Sequence, residues 1–374
     1  MFSKRAAWDS PLNRLTLARR AHVGALHDLT EANPTRVGIS YPIEELSEAL
    51  ARGAGARYDP DPRGLASARK AVALTLDCDP DDLILTASTS EAYSFLLKLL
   101  TDPGDEIITA TPAYPLIEHL ASMEMVHLRS FPLELHRRWE IDSGQILPQI
   151  TSRTRALLVV NPNNPTGSYV SSDEQSALAT LGVPIISDEV FLDYPLDGNG
   201  STFVREDALT FTLGGLSKSA GLPHFKLAWI RVSGPGKREA IAGLEQIADN
   251  FLSVATPVQA ALGDLLRLAP RIREQIAARV RSNLETLRGQ LAQIPAAEVL
   301  PVEGGWTAVV RVPKLQPDEE LALRLLERGV LIQPGYFFDF EGEGFLVVSL
   351  LTEPDTFAAG VTITAAAGKE WWRG

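Results

Sequence analysis

The sequence predicts an α/β protein: a large domain built on a mostly parallel, seven-stranded sheet flanked by helices, with a smaller α+β domain beside it. Three observations carry this reading. Strand-like apolar runs between residues 82 and 232 alternate with helix-like runs, as parallel strands joined by crossover helices do. After Val232 the apolar spacing becomes helical as far as Gln293. Beyond Pro301 short strand-like pieces return around a single helix.

Taken in order, Pro11 to Ala21 has helical spacing, and Leu29 to Thr35 reads as a short strand broken by a turn. Ile43–Ala51 is a helix. The Gly53-Ala54-Gly55 loop leads into Tyr58–Gly64, whose prolines and aspartates place it at the surface or an interface. Leu65–Leu76 is helical again. The strand candidates are Asp82–Thr86, Glu106–Ala110, Val126–Leu133, Ala156–Val160, Pro184–Ser187, Ala208–Leu213 and Phe225–Val232, with helices at Glu91–Leu100, Leu116–Ser122 and Ser172–Leu181. Lys237–Phe251, Pro257–Arg267 and Arg271–Gln293 read as three helices, the last long enough to bridge two lobes. Strands follow at Trp306–Val312, Val330–Gln333 and Phe345–Leu351, with a helix at Asp318–Arg328. The expected division is an N-terminal arm over residues 1–40 that joins the small domain, a large domain over 41–270 and a small domain over 271–374.

Composition narrows the function classes. An apolar share of 45% and a charged share of 22% fit an ordinary globular protein. A net charge of −12 argues against a nucleic-acid surface, which needs a clustered basic face. Cys78, the one cysteine, permits no internal disulfide and no metal cluster, so a reducing compartment is expected. Met1 to Val23 carries arginines and Asp9 but no apolar core of a signal peptide. No apolar stretch approaches the ~20 residues of a membrane span. A cytoplasmic protein is expected.

The chemistry concentrates in three loops, each following an apolar run. Asn161-Pro-Asn-Asn-Pro-Thr-Gly167 follows Ala156–Val160, Ser187-Asp-Glu-Val190 follows Val183–Ile186, and Gly214-Gly-Leu-Ser-Lys218 follows Ala208–Leu213. Ligands of open α/β sheets bind at the carboxyl ends of the strands, so these loops converge on one site. A lysine there can attack a carbonyl once its pKa is lowered by desolvation or by neighbours. A lone loop lysine is ordinarily just solvated, and Asp188 alone could simply cap a helix. The ordered set outweighs both readings.

In that order the motifs resemble the class I/II aminotransferases of the fold-type I pyridoxal-phosphate enzymes, from about Leu29 to the C-terminus. The resemblance implies pyridoxal 5'-phosphate held by Lys218 as a Schiff base, with the lysine then shuttling a proton. It implies Asp188 paired with the pyridine nitrogen, Asn164 bonded to the 3'-oxygen and Tyr114 stacked on the ring. Ser88, Thr89 and Ser90 would bind the phosphate at a helix N-terminus, with Ser217 and Lys226 adding to it. Tyr58 would reach that phosphate from the second subunit of a homodimer with shared active sites. Ala32, Asn33 and Arg36 match the loop that closes over substrate, and Trp306, after Gly304-Gly305, borders the pocket or shapes a turn. The histidines show no ligand spacing, so no metal site is expected.

Three departures from the pattern matter. Lys226 stands where an arginine is usual, replacing a bidentate clamp by a point charge. Phe191 stands where a tyrosine usually bonds the 3'-oxygen, which implies an imine that stays protonated to higher pH. Phe345–Leu351 lacks the arginine that grips a substrate α-carboxylate, with Val347 or Val348 in its place. Arg36 and His224 are the candidate replacements; otherwise the donor is an unusual amine or a modified amino acid. The expected activity is amino-group transfer between an amine or amino acid and a 2-oxo acid. A lyase, cyclase or decarboxylase on the same fold is the alternative, and a non-catalytic effector-binding domain ranks last.

Overall fold

In the central sheet, hydrophobic side chains alternate between two buried faces, and this positions everything else. The computed structural model describes residues 2–3, 5–6 and 10–372; Asp9 lies outside them. The seven strands run in the spatial order Leu83–Thr86, Ala228–Ser233, Thr210–Gly215, Ile185–Asp188, Thr154–Val160, Glu106–Thr111, His127–Pro132. Ala228–Ser233 alone is antiparallel to its neighbours. Ile84, Ile230 and Val232 point to the face covered by the helices Thr89–Leu100, Leu116–Met123 and Lys237–Asp249. Leu83, Leu85 and Trp229 point to the other, where Leu262, Leu265, Ile272 and Ile276 pack. This is the period of two that strand geometry imposes.

Those four residues sit on one helix, Thr256–Leu291, where the sequence suggested two. Pro270 lies inside it, on the solvent side. A proline in a helix interior costs ~3 kcal/mol. Each fully buried Leu or Ile returns ~2 kcal/mol, and buried residues flank Pro270 on both sides, so continuity wins. The helix packs along Ile43–Ala54, Ala66–Leu76 and the C-terminal helix Pro354–Trp371, which the sequence reading did not include.

A second, four-stranded sheet runs Glu298–Val299, Thr307–Arg311, Phe345–Ser349, Gln333–Pro334. The stretch expected as one strand at Val330–Gln333 is split. Val330–Leu331 instead pairs in parallel with His27–Asp28 of the N-terminal segment, which is where the early strand lies rather than at Leu29. Arg14 adds ion pairs to Glu319 and Glu320 at 3.0 and 2.6 Å. Among the described residues no helix is long and apolar enough to cross a membrane.

Candidate active site

A cavity of about 240 Å³ opens at the carboxyl ends of the parallel strands, between the large sheet and the Trp306 turn. Backbone geometry brings the three sequence loops to its edge. Gly214 has no room for a side chain, since a Cβ there would lie 2.5 Å from the Trp229 indole. The strand can therefore run close beneath Trp229 and end in the short helix Leu216–Ser219, which carries Lys218. The Lys218 carbonyl accepts from the Tyr194 hydroxyl at 2.7 Å and from the Gly221 N–H at 3.0 Å, pinning the turn.

The Asn164 loop is locked by its neighbours. Asn163 Oδ1 accepts from the Thr166 hydroxyl at 2.9 Å and the Thr166 N–H at 3.2 Å. Gly167 adopts φ +73°, and a Cβ there would meet the Gly304 carbonyl at 2.5 Å; the Gly304 N–H in turn donates to the Gly167 carbonyl at 2.8 Å. The loops bearing Asn164 and Trp306 are thus held as one piece.

Asp188 ends its strand in hydrogen-bond register with Val160 and Leu213. It is buried, and its Oδ2 accepts from the Tyr93 hydroxyl at 2.7 Å. Burial pushes its pKa up, opposed by that bond and by the Val190 N–H. Lys218 keeps part of its side chain accessible from the cavity. Its ammonium lies 5.0 Å from the Trp306 ring centre and 5.7 Å from that of Phe191, with the Ala32 carbonyl at 3.4 Å. Desolvation brings its pKa down to about 8, partly offset by Glu31.

Of the expected residues, Ala32, Thr89, Tyr114, Asn164, Asp188, Ser217 and Lys218 line this cavity. Ser88 instead caps the Thr89–Leu100 helix, its hydroxyl accepting from the Glu91 N–H at 3.2 Å, while Ser90 lies in the first turn, outside the lining. Lys226 is exposed and not among the lining residues. Tyr58 is 70% exposed and lines a separate surface pocket with Asp61 and Leu252. Asn33 caps Thr35, and Arg36 faces solvent beside Glu31 at 3.8 Å. His224 packs against Phe225 and Tyr41 away from the lining. Val347 is fully buried in an apolar cluster with Val309 and Phe338. Sequence reasoning missed Tyr93 and Thr109, which also line the site. Tyr93 reads locally as a core aromatic of the helix after the Ser88 cap, and no local signal marks its hydroxyl.

The residues fit a phosphorylated pyridine aldehyde. Lys218 offers a desolvated amine, Asp188 a buried carboxylate with no cation beside it among the described residues, and Asn164 a side-chain amide whose buried Oδ1 has no partner among them. A sequence profile of the family described as "Aminotransferase class I and II" matches residues 28–357. Nicotianamine aminotransferase 1 of Oryza sativa subsp. japonica is 31% identical over 54% of the chain; that match spans 45% of the rice protein. Tyrosine aminotransferase of Mus musculus is 27% identical over 79% of the chain and 70% of its own length. The solved structure of alanine aminotransferase from Pyrococcus furiosus superposes with a TM-score of 0.89 at 23% identity, covering 99% of this chain and 100% of that one.

Proposed function

The chain belongs to the class I and II aminotransferase family, and we propose that its Lys218 cavity moves an amino group between an amine or amino acid and a 2-oxo acid. The observation that carries this is the convergence of Asn164, Asp188 and Lys218 from three strand ends on one cavity. Bound there, pyridoxal 5'-phosphate would supply an amine-reactive aldehyde carbon and an electron-withdrawing ring. Asp188 would hold the ring nitrogen, Asn164 would donate its side-chain amide N–H to the 3'-oxygen, and Tyr114 would cover one face. Thr89 and Ser217 would make up the phosphate end of the cavity, completed by Tyr58 of the partner subunit in a homodimer. Lys218 gives up and takes back a proton at Nζ; a pKa of about 8 leaves a usable fraction of free amine near neutrality. Trp306 and Phe191 keep water from that atom.

No arginine or histidine lines the cavity among the described residues, and apolar packing fills the Val347 position. The donor is therefore an amine, or an amino acid recognised without an arginine from that strand. The half-buried Cys78, with no second cysteine to pair with, suits a cytoplasmic setting.

The test is chemical. Purified protein is loaded with pyridoxal 5'-phosphate, reduced with borohydride, digested and mapped by mass spectrometry. The adduct is expected on Lys218; an adduct elsewhere, or one that survives in Lys218→Ala, rejects the reading. A panel of amines against the common α-amino acids, with 2-oxoglutarate as acceptor, then tests the donor. Ordinary family-size kcat/KM on common amino acids would defeat the second claim.

A further inference from the structure

Tyr93 has no assigned part in the site, yet it touches the residue on which the ring chemistry depends. The Thr89–Leu100 helix carries it inward from the Ser88 cap, and only 4% of it is exposed. It lines the cavity together with Asp188 and Lys218. Its hydroxyl donates to Asp188 Oδ2 at 2.7 Å, while the Val190 N–H donates to Oδ1 at 3.2 Å. Each carboxylate oxygen thus takes one bond from the protein and keeps a lone pair for a ligand.

Packing alone does not account for the hydroxyl. Phenylalanine would fill the same volume against Ala92, Phe95 and Leu96, with which Tyr93 shares a core cluster. The hydroxyl works against a real cost: a carboxylate taken out of water without a cation favours its neutral acid form. Burial holds the tyrosine's own pKa well above its ordinary value, so it remains a donor wherever the protein is folded.

We propose that Tyr93 is a positioning residue: it fixes the orientation of Asp188 and keeps that carboxylate charged, so that it grips a protonated pyridine nitrogen. This rests on reading the cavity as a pyridoxal-phosphate site. Without the hydroxyl, Oδ2 loses its partner in apolar surroundings, and Asp188 either rotates or takes up a proton. In both cases the nitrogen loses the anion it faces, whereas the aldehyde and phosphate ends of the ligand are untouched.

The experiment follows from that selectivity. The apo forms of the full chain and of Tyr93→Phe are titrated, by intrinsic fluorescence, with pyridoxal 5'-phosphate and with the carbocyclic analogue bearing C–H in place of the ring nitrogen. Tyr93→Phe is expected to weaken pyridoxal 5'-phosphate by about ten-fold, the worth of one hydrogen bond to a charged group. Binding of the analogue is expected to stay as in the parent. Equal weakening of both ligands would mean that Tyr93 merely packs, and would overturn the proposal, as would no weakening of either. A parent protein that binds neither ligand would instead remove the cofactor reading, and this proposal with it.

Discussion

Lys218 shows the cost of a functional side chain. Its pKa falls from the ordinary 10.5 to about 8 because the folded chain desolvates the ammonium. A base whose folded pKa is depressed binds fewer protons folded than unfolded between those two values, so stability rises with pH across that window. Below it the full penalty applies. Lys218→Met is therefore expected to stabilise the apo protein at pH 7 by ~1–3 kcal/mol, with the gain shrinking as pH approaches 10.5. Thermal denaturation across pH 7 to 10.5 checks this; a variant no more stable than the parent at pH 7 would contradict it. Phe191 makes a second residue-scale test. Its ring packs edge-on against Trp306 at 5.2 Å, near the Lys218 amine. Phe191→Tyr brings a hydroxyl toward the 3'-oxygen position and is expected to lower, by about one unit, the pH midpoint of the bound cofactor's long-wavelength absorption. An unchanged or raised midpoint would show that the ring does not face that oxygen.

At the scale of an element, the strand Ile185–Asp188 and its exit loop are tied to the 202–203 segment by Glu189. The carboxylate accepts from Ser187 at 2.9 Å, from the Thr202 hydroxyl at 2.6 Å and from the Phe203 N–H at 2.6 Å. Burial raises its pKa from 4.5 to about 7. The folded state then holds a proton that the unfolded chain has already lost between those values, so this group's contribution falls as pH rises from 4.5 to 7 and stays low above. Glu189→Gln keeps an acceptor for Ser187 and Phe203 and turns an amide donor to Thr202. It is expected to match the parent near pH 5 and to exceed it at pH 8 by on the order of 1 kcal/mol, solvent at the exposed Thr202 damping the effect. Chemical denaturation at the two pH values decides, and a variant weaker at pH 8 would refute the argument. The strands themselves were legible from sequence because each is an apolar run of sheet length between turn residues, and the loops bearing Asn164, Asp188 and Lys218 were legible because each follows such a run. The single helix Thr256–Leu291 was not, because Pro270 breaks the local signal and only tertiary burial on both sides restores it. Tyr93 was hidden for a related reason: on one chain it reads as another core aromatic, and its hydroxyl acquires meaning only opposite Asp188.

The whole molecule is held by ties between distant segments, with the N-terminal segment paired to Val330–Leu331 and, at the cavity, the Trp306 turn bonded to the Asn164 loop. We propose the division into an arm over 1–40, a large unit over 41–270 and a small unit over 271–374, with Thr256–Leu291 running through the second boundary as a shared spine. Tyr58 fits no role within one such protomer: it stands 70% exposed in its own pocket, away from Lys218. If its partner is the phosphate end of the second subunit's cavity, each site draws Lys218 from one chain and Tyr58 from the other. Two individually defective variants, Lys218→Ala and Tyr58→Ala, should then rescue each other when refolded together. In a mixed dimer one site carries both lesions and the other carries neither. With random pairing, half the dimers are mixed and each has one intact site, so recovery should approach about one quarter of the parent activity. Were Tyr58 to serve its own chain's cavity, every mixed dimer would hold one site lacking the lysine and one lacking the tyrosine, and mixing would restore nothing beyond the residual activity of Tyr58→Ala.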